Sequence, residues 1–255
     1  MGTTTPVVEI DGFGDLLRVF SDGSIVRPPP PTSDMLTHTE GSVSWKDVQY
    51  DSSLDLSLRL YKPSDDHVPA SDSKPPVLFY FHGGGFCIVS RHWPECHANC
   101  LRLAHDLRAV VVAPDYRLAP ENRLPVAYDD AFSAVRWLRD QATAADGEKW
   151  LADAVDLDRV FVFGDSAGAN IAHYLAVRLG VGSAELKPMR VRGYVLLAPF
   201  FGAAERATSE LECAPDAFLN LEHTDRYVRV CNSHVWLVNL MVSVSAFPGT
   251  HTNRI

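Results

Sequence analysis

Arg159-Val160-Phe161-Val162-Phe163-Gly164-Asp165-Ser166-Ala167-Gly168-Ala169-Asn170-Ile171-Ala172 is the stretch that decides the fold of this chain. Residues 160–163 are an unbroken apolar run, the pattern of a strand buried on both faces. Small, helix-compatible residues begin at Ala167, and Gly-x-Ser-x-Gly lies between the two. On a sharp strand-to-helix bend this pentapeptide exposes a serine hydroxyl and aims the next residue's N–H at a developing oxyanion. Gly164 and Gly168 let such a bend form without a Cβ clash. The segment therefore reads as a nucleophile elbow; a glycine-rich turn of some other α/β protein is the alternative.

The 255 residues around it are 46% hydrophobic and 22% charged, which fits one large α/β domain with a sizeable core. A net charge of −9, with Lys and Arg scattered, gives no electrostatic footprint for nucleic acid or an anionic membrane. No apolar run reaches the about 20 residues needed to span a bilayer. Met1 to Asp11 lacks a basic segment followed by an apolar one, so a cytoplasmic location is expected. Cys87, Cys96, Cys100, Cys213 and Cys231 form no C-x-x-C pair and read as free thiols in a reducing compartment.

Leu54, Leu56, Leu58 and Leu60 alternate with polar residues, and Val43-Ser44-Trp45 and Val48-Gln49-Tyr50 precede them across Asp51-Ser52-Ser53. That period of two predicts an antiparallel pair. Near-continuous apolar runs at 77–81, 109–113, 160–163 and 191–198 then alternate with helix-length segments at about 95–107, 126–141 and 167–179. Such alternation predicts right-handed crossovers and a mostly parallel sheet with helices on both faces. An antiparallel start leading into this sheet is the α/β-hydrolase layout. Pro28 to Pro31, with Thr32 and Ser33, read as a stiff linker. Before it, Ile10, Phe13, Leu16, Leu17, Val19 and Phe20 form an apolar set that suits either a lid over an acyl pocket or a surface helix.

His82-Gly83-Gly84-Gly85-Phe86 directly follows the run at 77–81. Three successive glycines leave backbone N–H groups free to approach a substrate carbonyl oxygen, so the loop reads as an oxyanion hole. A flexible glycine loop is the bland alternative. No Lys-Ser/Thr follows, which excludes a P-loop.

These motifs resemble the plant carboxylesterases of the hormone-sensitive-lipase group, which also contains the gibberellin receptor. The resemblance is carried by His82 to Phe86, Asp115-Tyr116-Arg117-Leu118-Ala119-Pro120-Glu121, Pro125-Val126-Ala127-Tyr128-Asp129-Asp130, and Gly164 to Asn170. Leu17 to Arg27 is similar to the plant branch, and the likeness covers residues 9 to about 227. It implies a serine esterase of small or medium uncharged esters, with no cofactor and no metal. By the same likeness Ser166 is the nucleophile, and Gly84, Gly85 and Ala167 supply oxyanion-hole N–H groups while Gly83 shapes the loop. His82 holds that loop rather than acting as the base. Asp165, Asp115 and Arg117 read as structural. The chain is expected to be a single domain (1–255), with a lid segment and linker at 1–31, the family-like core at 32–227 and an atypical tail at 228–255.

In this fold the triad runs Ser, then Asp or Glu, then His along the chain. After Ser166 come one clear strand at 191–198 and a stretch at 199–227 that resembles the family's cap insertion. Two further strand–loop units, each on the order of 30 residues, would be needed to place acid and base. Residues 228–255 contain neither a glycine shortly before Asp-x-Leu nor His-Gly-Phe. The C-terminal strands, and the triad Asp and His, are therefore expected to be absent, from alternative splicing, an unspliced intron or a gene-model error. Asp225 with His251, and His234, satisfy the chain order but read as incidental; His173 lies about two helical turns past the serine, wrong for a base. The apolar run at 235–244 is too short to cross a membrane.

The expected protein is thus a carboxylesterase-like hydrolase with impaired catalysis. A non-catalytic, hormone-like small-molecule binding protein of the same fold is the alternative, and a misfolded product is a third reading. The third glycine of His82–Gly85 favours esterase ancestry. His92, Cys96, His97 and Cys100 are crowded enough to suggest a metal, against a helix that packs small thiols into the core. Oligomeric state is not readable from the sequence.

Overall fold

The computed structural model describes residues 6–30, 40–64, 74–180, 183–202, 206–217 and 219–231. Pro31, Thr32, Ser33, His234, His251 and the run at 235–244 lie outside the described residues.

The N-terminal segment is not a helix. It forms three short antiparallel strands, β1 (Glu9–Gly12), β2 (Arg18–Phe20) and β3 (Ile25–Val26), with one 3-10 turn at Gly14–Leu16. Gly12, Gly14 and Gly23 interrupt any helical run, while Val19, Phe20, Ile25 and Val26 have the β-branched or aromatic side chains that suit strands. Of the apolar set, Leu17 is fully buried whereas Ile10 is 63% exposed.

A six-stranded sheet carries the rest, built from β4 (Val43–Asp51), β5 (Leu56–Pro63), β6 (Pro76–Phe81), β7 (Val110–Pro114), β8 (Asp156–Asp165) and β9 (Val191–Leu197). Their spatial order is β4-β5-β7-β6-β8-β9. β4 and β5 pair antiparallel with Val48 opposite Leu58, β5 meets β7 antiparallel, and all later pairings are parallel. Leu54 lies in the turn rather than in a strand. The Asp51 carboxylate accepts from the N–H groups of Ser53 (2.9 Å) and Leu54 (3.2 Å), which stretches the hairpin turn through residue 55.

The helices among the described residues are α1 (Pro94–Leu107), α2 (Val126–Thr143), α3 (Ala167–Leu179), α4 (Thr208–Leu211) and α5 (Leu221–Cys231). Pro94 occupies the first helical position of α1, where its missing N–H costs nothing. Alternate residues of the parallel strands feed two cores. Val77, Phe79, Phe81, Val110, Val112, Val160 and Val162 pack with α2 and α3. Leu78, Tyr80, Val111 and Ala113 pack with Cys96, Cys100, Leu101 and Ala104 of α1. Helices thus cover both faces of the sheet. On β9, Tyr194 and Leu196 join the first core, while Val195 (51% exposed) and Leu197 (56%) look outward.

Candidate active site

β8 ends at Asp165 and α3 begins at Ala167, so Ser166 alone makes the bend. Its backbone sits at φ 51°, ψ −114°, a conformation that costs a non-glycine residue about 1–3 kcal/mol. Backbone bonds offset that strain. Ser166 N–H donates to Leu197 O (2.9 Å), and its carbonyl accepts from Asn170 N (3.1 Å) and Phe200 N (3.0 Å). A Cβ on Gly168 would lie 1.9 Å from Phe81 O, so the elbow closes against the end of β6 only because that position is glycine.

The glycine loop leaves β6 and folds onto the elbow. A Cβ on Gly83 would lie 2.5 Å from Asp165 Oδ2 and 3.3 Å from Ser166 Cβ. Gly84 (φ 105°) and Gly85 (φ 58°) are left-handed, and Gly84 O accepts from Cys87 N and Ile88 N (both 3.0 Å), which closes a tight turn directly after Gly83. Ala167 is the first residue of α3, so its N–H has no acceptor within the helix. The loop and the helix N-terminus thus flank Ser166.

His82 is buried and tied to the loop's backbone. Its Nδ1 lies 2.7 Å from Gly83 O, the geometry of a ring N–H donating to that carbonyl. The ring stacks on Tyr116 at 4.4 Å, and the Tyr116 hydroxyl donates to His82 O at 2.8 Å. Among the described residues Nε2 has no hydrogen-bond partner, and it lies 3.8 Å from Asp115 Oδ1. Burial lowers the His82 pKa below the usual histidine value, with Asp115 opposing it only in part.

The acidic residues of the motifs are engaged with neighbours. Asp165 accepts from the Tyr80 hydroxyl at 2.9 Å. Asp115 accepts from Arg91 N–H at 2.7 Å and from the Arg91 guanidinium. Asp130 accepts from Arg117 N–H (2.9 Å) and Nη2 (2.6 Å). Asn170 accepts from the Tyr128 hydroxyl (2.7 Å) and donates to Phe200 O (2.8 Å), which ties the first turn of α3 to α2 and to the segment after β9.

Among the described residues, no histidine is brought to the serine. Among the described residues none bonds to the Ser166 hydroxyl. Asp225 pairs with Arg206 at 2.6 Å, and the His173 ring packs edge-on against Phe201 at 5.1 Å. His92 and His97 face Arg59 instead of Cys96 and Cys100: Nδ1 of each lies 3.1 Å and 3.4 Å, respectively, from that guanidinium. Burial and the Arg59 charge lower His97 to about 4. The two thiols lie buried in the core beneath α1, and burial pushes Cys96 up to about 12. Among the described residues no group of three or more potential ligands could hold a metal ion. All five cysteines are unbridged.

Of the open spaces that adjoin these elements, two bear on the glycine loop and on the N-terminal sheet. One, of about 260 Å³, is lined by Gly83, Gly84, Asp165, Tyr80, Trp93 and Glu95. The other, of about 420 Å³, lies between the N-terminal sheet and α5 and is lined by Phe13, Leu16, Leu219, Asn220, His223 and Tyr227. Sequence reasoning missed an aromatic contact that borders the second space. Tyr227 stacks on Phe13 at 3.7 Å and meets Phe200 edge-on at 6.2 Å. A Cβ on Gly85 would lie 2.1 Å from the Tyr227 ring, so the third glycine makes room for α5. That glycine was the available signal; nothing local pairs residue 13 with residue 227.

A strand–serine–helix elbow beside a glycine loop from the neighbouring parallel strand defines an α/β hydrolase. The chain belongs to the alpha/beta hydrolase fold family, whose profile matches residues 78–248. Plant carboxylesterases are among its relatives. It is 37% identical over 215 residues to Probable carboxylesterase 8 of Arabidopsis thaliana, covering 83% of this chain and 62% of the relative. With Probable carboxylesterase 6 of the same plant it is 38% identical over 229 residues, covering 88% and 65%. A solved Pyrobaculum calidifontis esterase aligns with a TM-score of 0.59 at 30% identity, covering 74% of this chain and 57% of that one. The chain therefore spans 62% and 65% of the length of these two plant relatives. No helix among the described residues is long and apolar enough to cross a membrane.

Proposed function

We propose that the chain is a carboxylesterase-like serine hydrolase of small or medium uncharged esters. Ser166 Oγ attacks the ester carbonyl carbon, the carbonyl electron pair moves to oxygen, and the N–H groups of Gly84, Gly85 and Ala167 bind the oxyanion. Gly83 sets the loop's distance from the elbow. Collapse expels the alkoxide, which takes up through solvent the proton that the Ser166 hydroxyl gave up and leaves as the alcohol; water then hydrolyses the acyl-serine to the acid and restores the hydroxyl. His82, bonded to the loop carbonyl and stacked on Tyr116, holds the loop; Gly164, Asp165 and Gly168 hold the elbow. The observation that carries this reading is the strained Ser166 backbone packed against Gly83. The expected test is covalent: diethyl 4-nitrophenyl phosphate should add one diethylphosphoryl group, mapped by mass spectrometry to Ser166 and absent in Ser166→Ala. Modification elsewhere, or none, would refute the assignment.

Catalysis by this 255-residue chain is proposed to be weak, because the described histidines are engaged away from the serine. A serine without its base retains only the catalysis of the oxyanion hole and binding. The second reading, a non-catalytic small-molecule binding protein, draws on the aromatic wall of Phe13, Phe200 and Tyr227 beside Gly85. Saturable binding of a small carboxylic hormone without phosphorylation of Ser166 would favour it. Unbridged thiols and the lack of a membrane-length helix among the described residues suit the proposed cytoplasmic location. The N-terminal sheet, packed on α5 through Phe13, is proposed as the lid of a single domain.

A further inference from the structure

We propose that Arg91 is a positioning residue for the oxyanion loop, clasped by Asp115 so that one carboxylate faces both ends of the turn that presents Gly83 to Gly85 to Ser166. The inference rests on the esterase reading above and deepens it.

The loop needs holding. Gly84 (φ 105°), Gly85 (φ 58°), Phe86 (φ 63°) and Val89 (φ 77°) are all left-handed, and two of them carry side chains that resist that conformation. Its middle is tied by Ala119 N–H donating to Phe86 O (2.8 Å) and by Arg27 Nε donating to Cys87 O (2.7 Å). The far end is tied at Arg91. The Arg91 N–H donates to Asp115 Oδ1 at 2.7 Å, and its guanidinium donates to Asp115 Oδ2. Its Nε also reaches Asp47 Oδ1 at 3.4 Å, and Asp47 is itself held by Arg59 at 2.7 and 2.9 Å.

Asp115 is fixed independently at the end of β7. Its N–H donates to Ser57 O (3.0 Å), and its carbonyl accepts from the Tyr50 hydroxyl (2.7 Å). The same carboxylate stands 3.8 Å from His82 Nε2, at the loop's first residue. The side chains of Arg91 and Asp115 are only 15% and 20% exposed, so their charge-assisted bonds are poorly screened by solvent. Removing the guanidinium leaves the far end of the turn with the Arg91 N–H bond to Asp115 and a long bond from Arg59 Nη1 to Arg91 O (3.5 Å). The left-handed residues then relax, and the N–H groups drift from the oxyanion position.

The test compares the 255-residue chain with Arg91→Gln and Arg91→Lys, using Ser166→Ala as the unreactive control. Hydrogen exchange of peptides spanning 83–90 should be about tenfold faster in Arg91→Gln, with α2 and α3 peptides unchanged and Arg91→Lys intermediate. With diethyl 4-nitrophenyl phosphate, Ser166 Oγ bonds phosphorus, 4-nitrophenolate leaves and the hydroxyl proton goes to solvent. The maximal rate of that step should fall about 10- to 100-fold in Arg91→Gln, with the half-saturating concentration unchanged and partial rescue by lysine. Unaltered exchange across 83–90 would overturn the clasp. Faster exchange with an unaltered rate would overturn the positioning role and leave Arg91 merely structural. If Ser166 of the parent does not react at all, the esterase reading fails, and with it the positioning role; the exchange data still decide the clasp.

Discussion

A methyl group on Gly168 would sit 1.9 Å from Phe81 O, whereas one on Gly193 would find its nearest neighbour, Phe161 Cδ1, at 3.6 Å. Gly168→Ala is therefore expected to destabilise the chain by about 3 kcal/mol or more, because backbone cannot yield as a side chain does. Gly193→Ala should stay within about 1 kcal/mol of the parent. Urea unfolding midpoints separate the two; equal midpoints would contradict the elbow's close packing. Asn170 is buried and serves two partners, Tyr128 and Phe200. Asn170→Ala should cost about 2–4 kcal/mol, since it strands a buried hydroxyl and a carbonyl. The serine, its two glycines and the glycine loop were legible because each needs a residue type that few others replace. Asn170 and Arg91 were not, since their roles come from partners that only the folded chain supplies.

Elements built from long, uniform patterns were legible in the sequence. The buried strands announced themselves as apolar runs, and α2 and α3 as helix-length segments between them. The N-terminal segment was not, because its apolar spacing also fits a helix while its glycines and β-branched residues favour strands; only pairing decides. That small sheet is held to the core by the buried Leu17 with Phe13, Leu16, Val19 and Ile25, and by Arg27, whose guanidinium donates to Cys87 O (2.7 Å), Ala119 O (2.6 Å) and Glu121 (2.6 Å). Arg27→Ala should release residues N-terminal to Val43 to limited proteolysis several-fold faster, with the fragment carrying the six-stranded sheet surviving. Unchanged cleavage would show that the apolar contacts of Leu17, Phe13 and their neighbours suffice without Arg27.

Across the whole molecule, burial holds His82, His92, His97 and His173 below the usual histidine value, His97 at about 4. Between pH 6.5 and 4 the unfolded chain then binds more protons than the folded one, so stability should fall as pH drops through that window. Below it, Asp47, Glu121 and Glu148 add the same trend. Burial alone would raise them, but Arg59, Arg27 and Lys46 respectively hold them low, and protonation loses those bonds. Urea midpoints measured at pH 7.5, 5.5 and 4.5 check this, and His97→Gln should flatten the slope; a midpoint that rises on acidification would contradict it. The fold at this scale was legible from strand–helix alternation. Of the candidate site, the strand–serine–helix bend and the glycine loop beside it were legible because each is a local motif, whereas contacts between distant segments, such as Phe13 with Tyr227, were not. The most direct test of the account is hydrolysis of 4-nitrophenyl butyrate by the 255-residue chain beside Ser166→Ala. The expected result is a slow release, far below about 1 s⁻¹, that disappears with the serine. Serine-dependent turnover at ordinary enzyme rates of about 1–10³ s⁻¹, or equal release by Ser166→Ala, would contradict it.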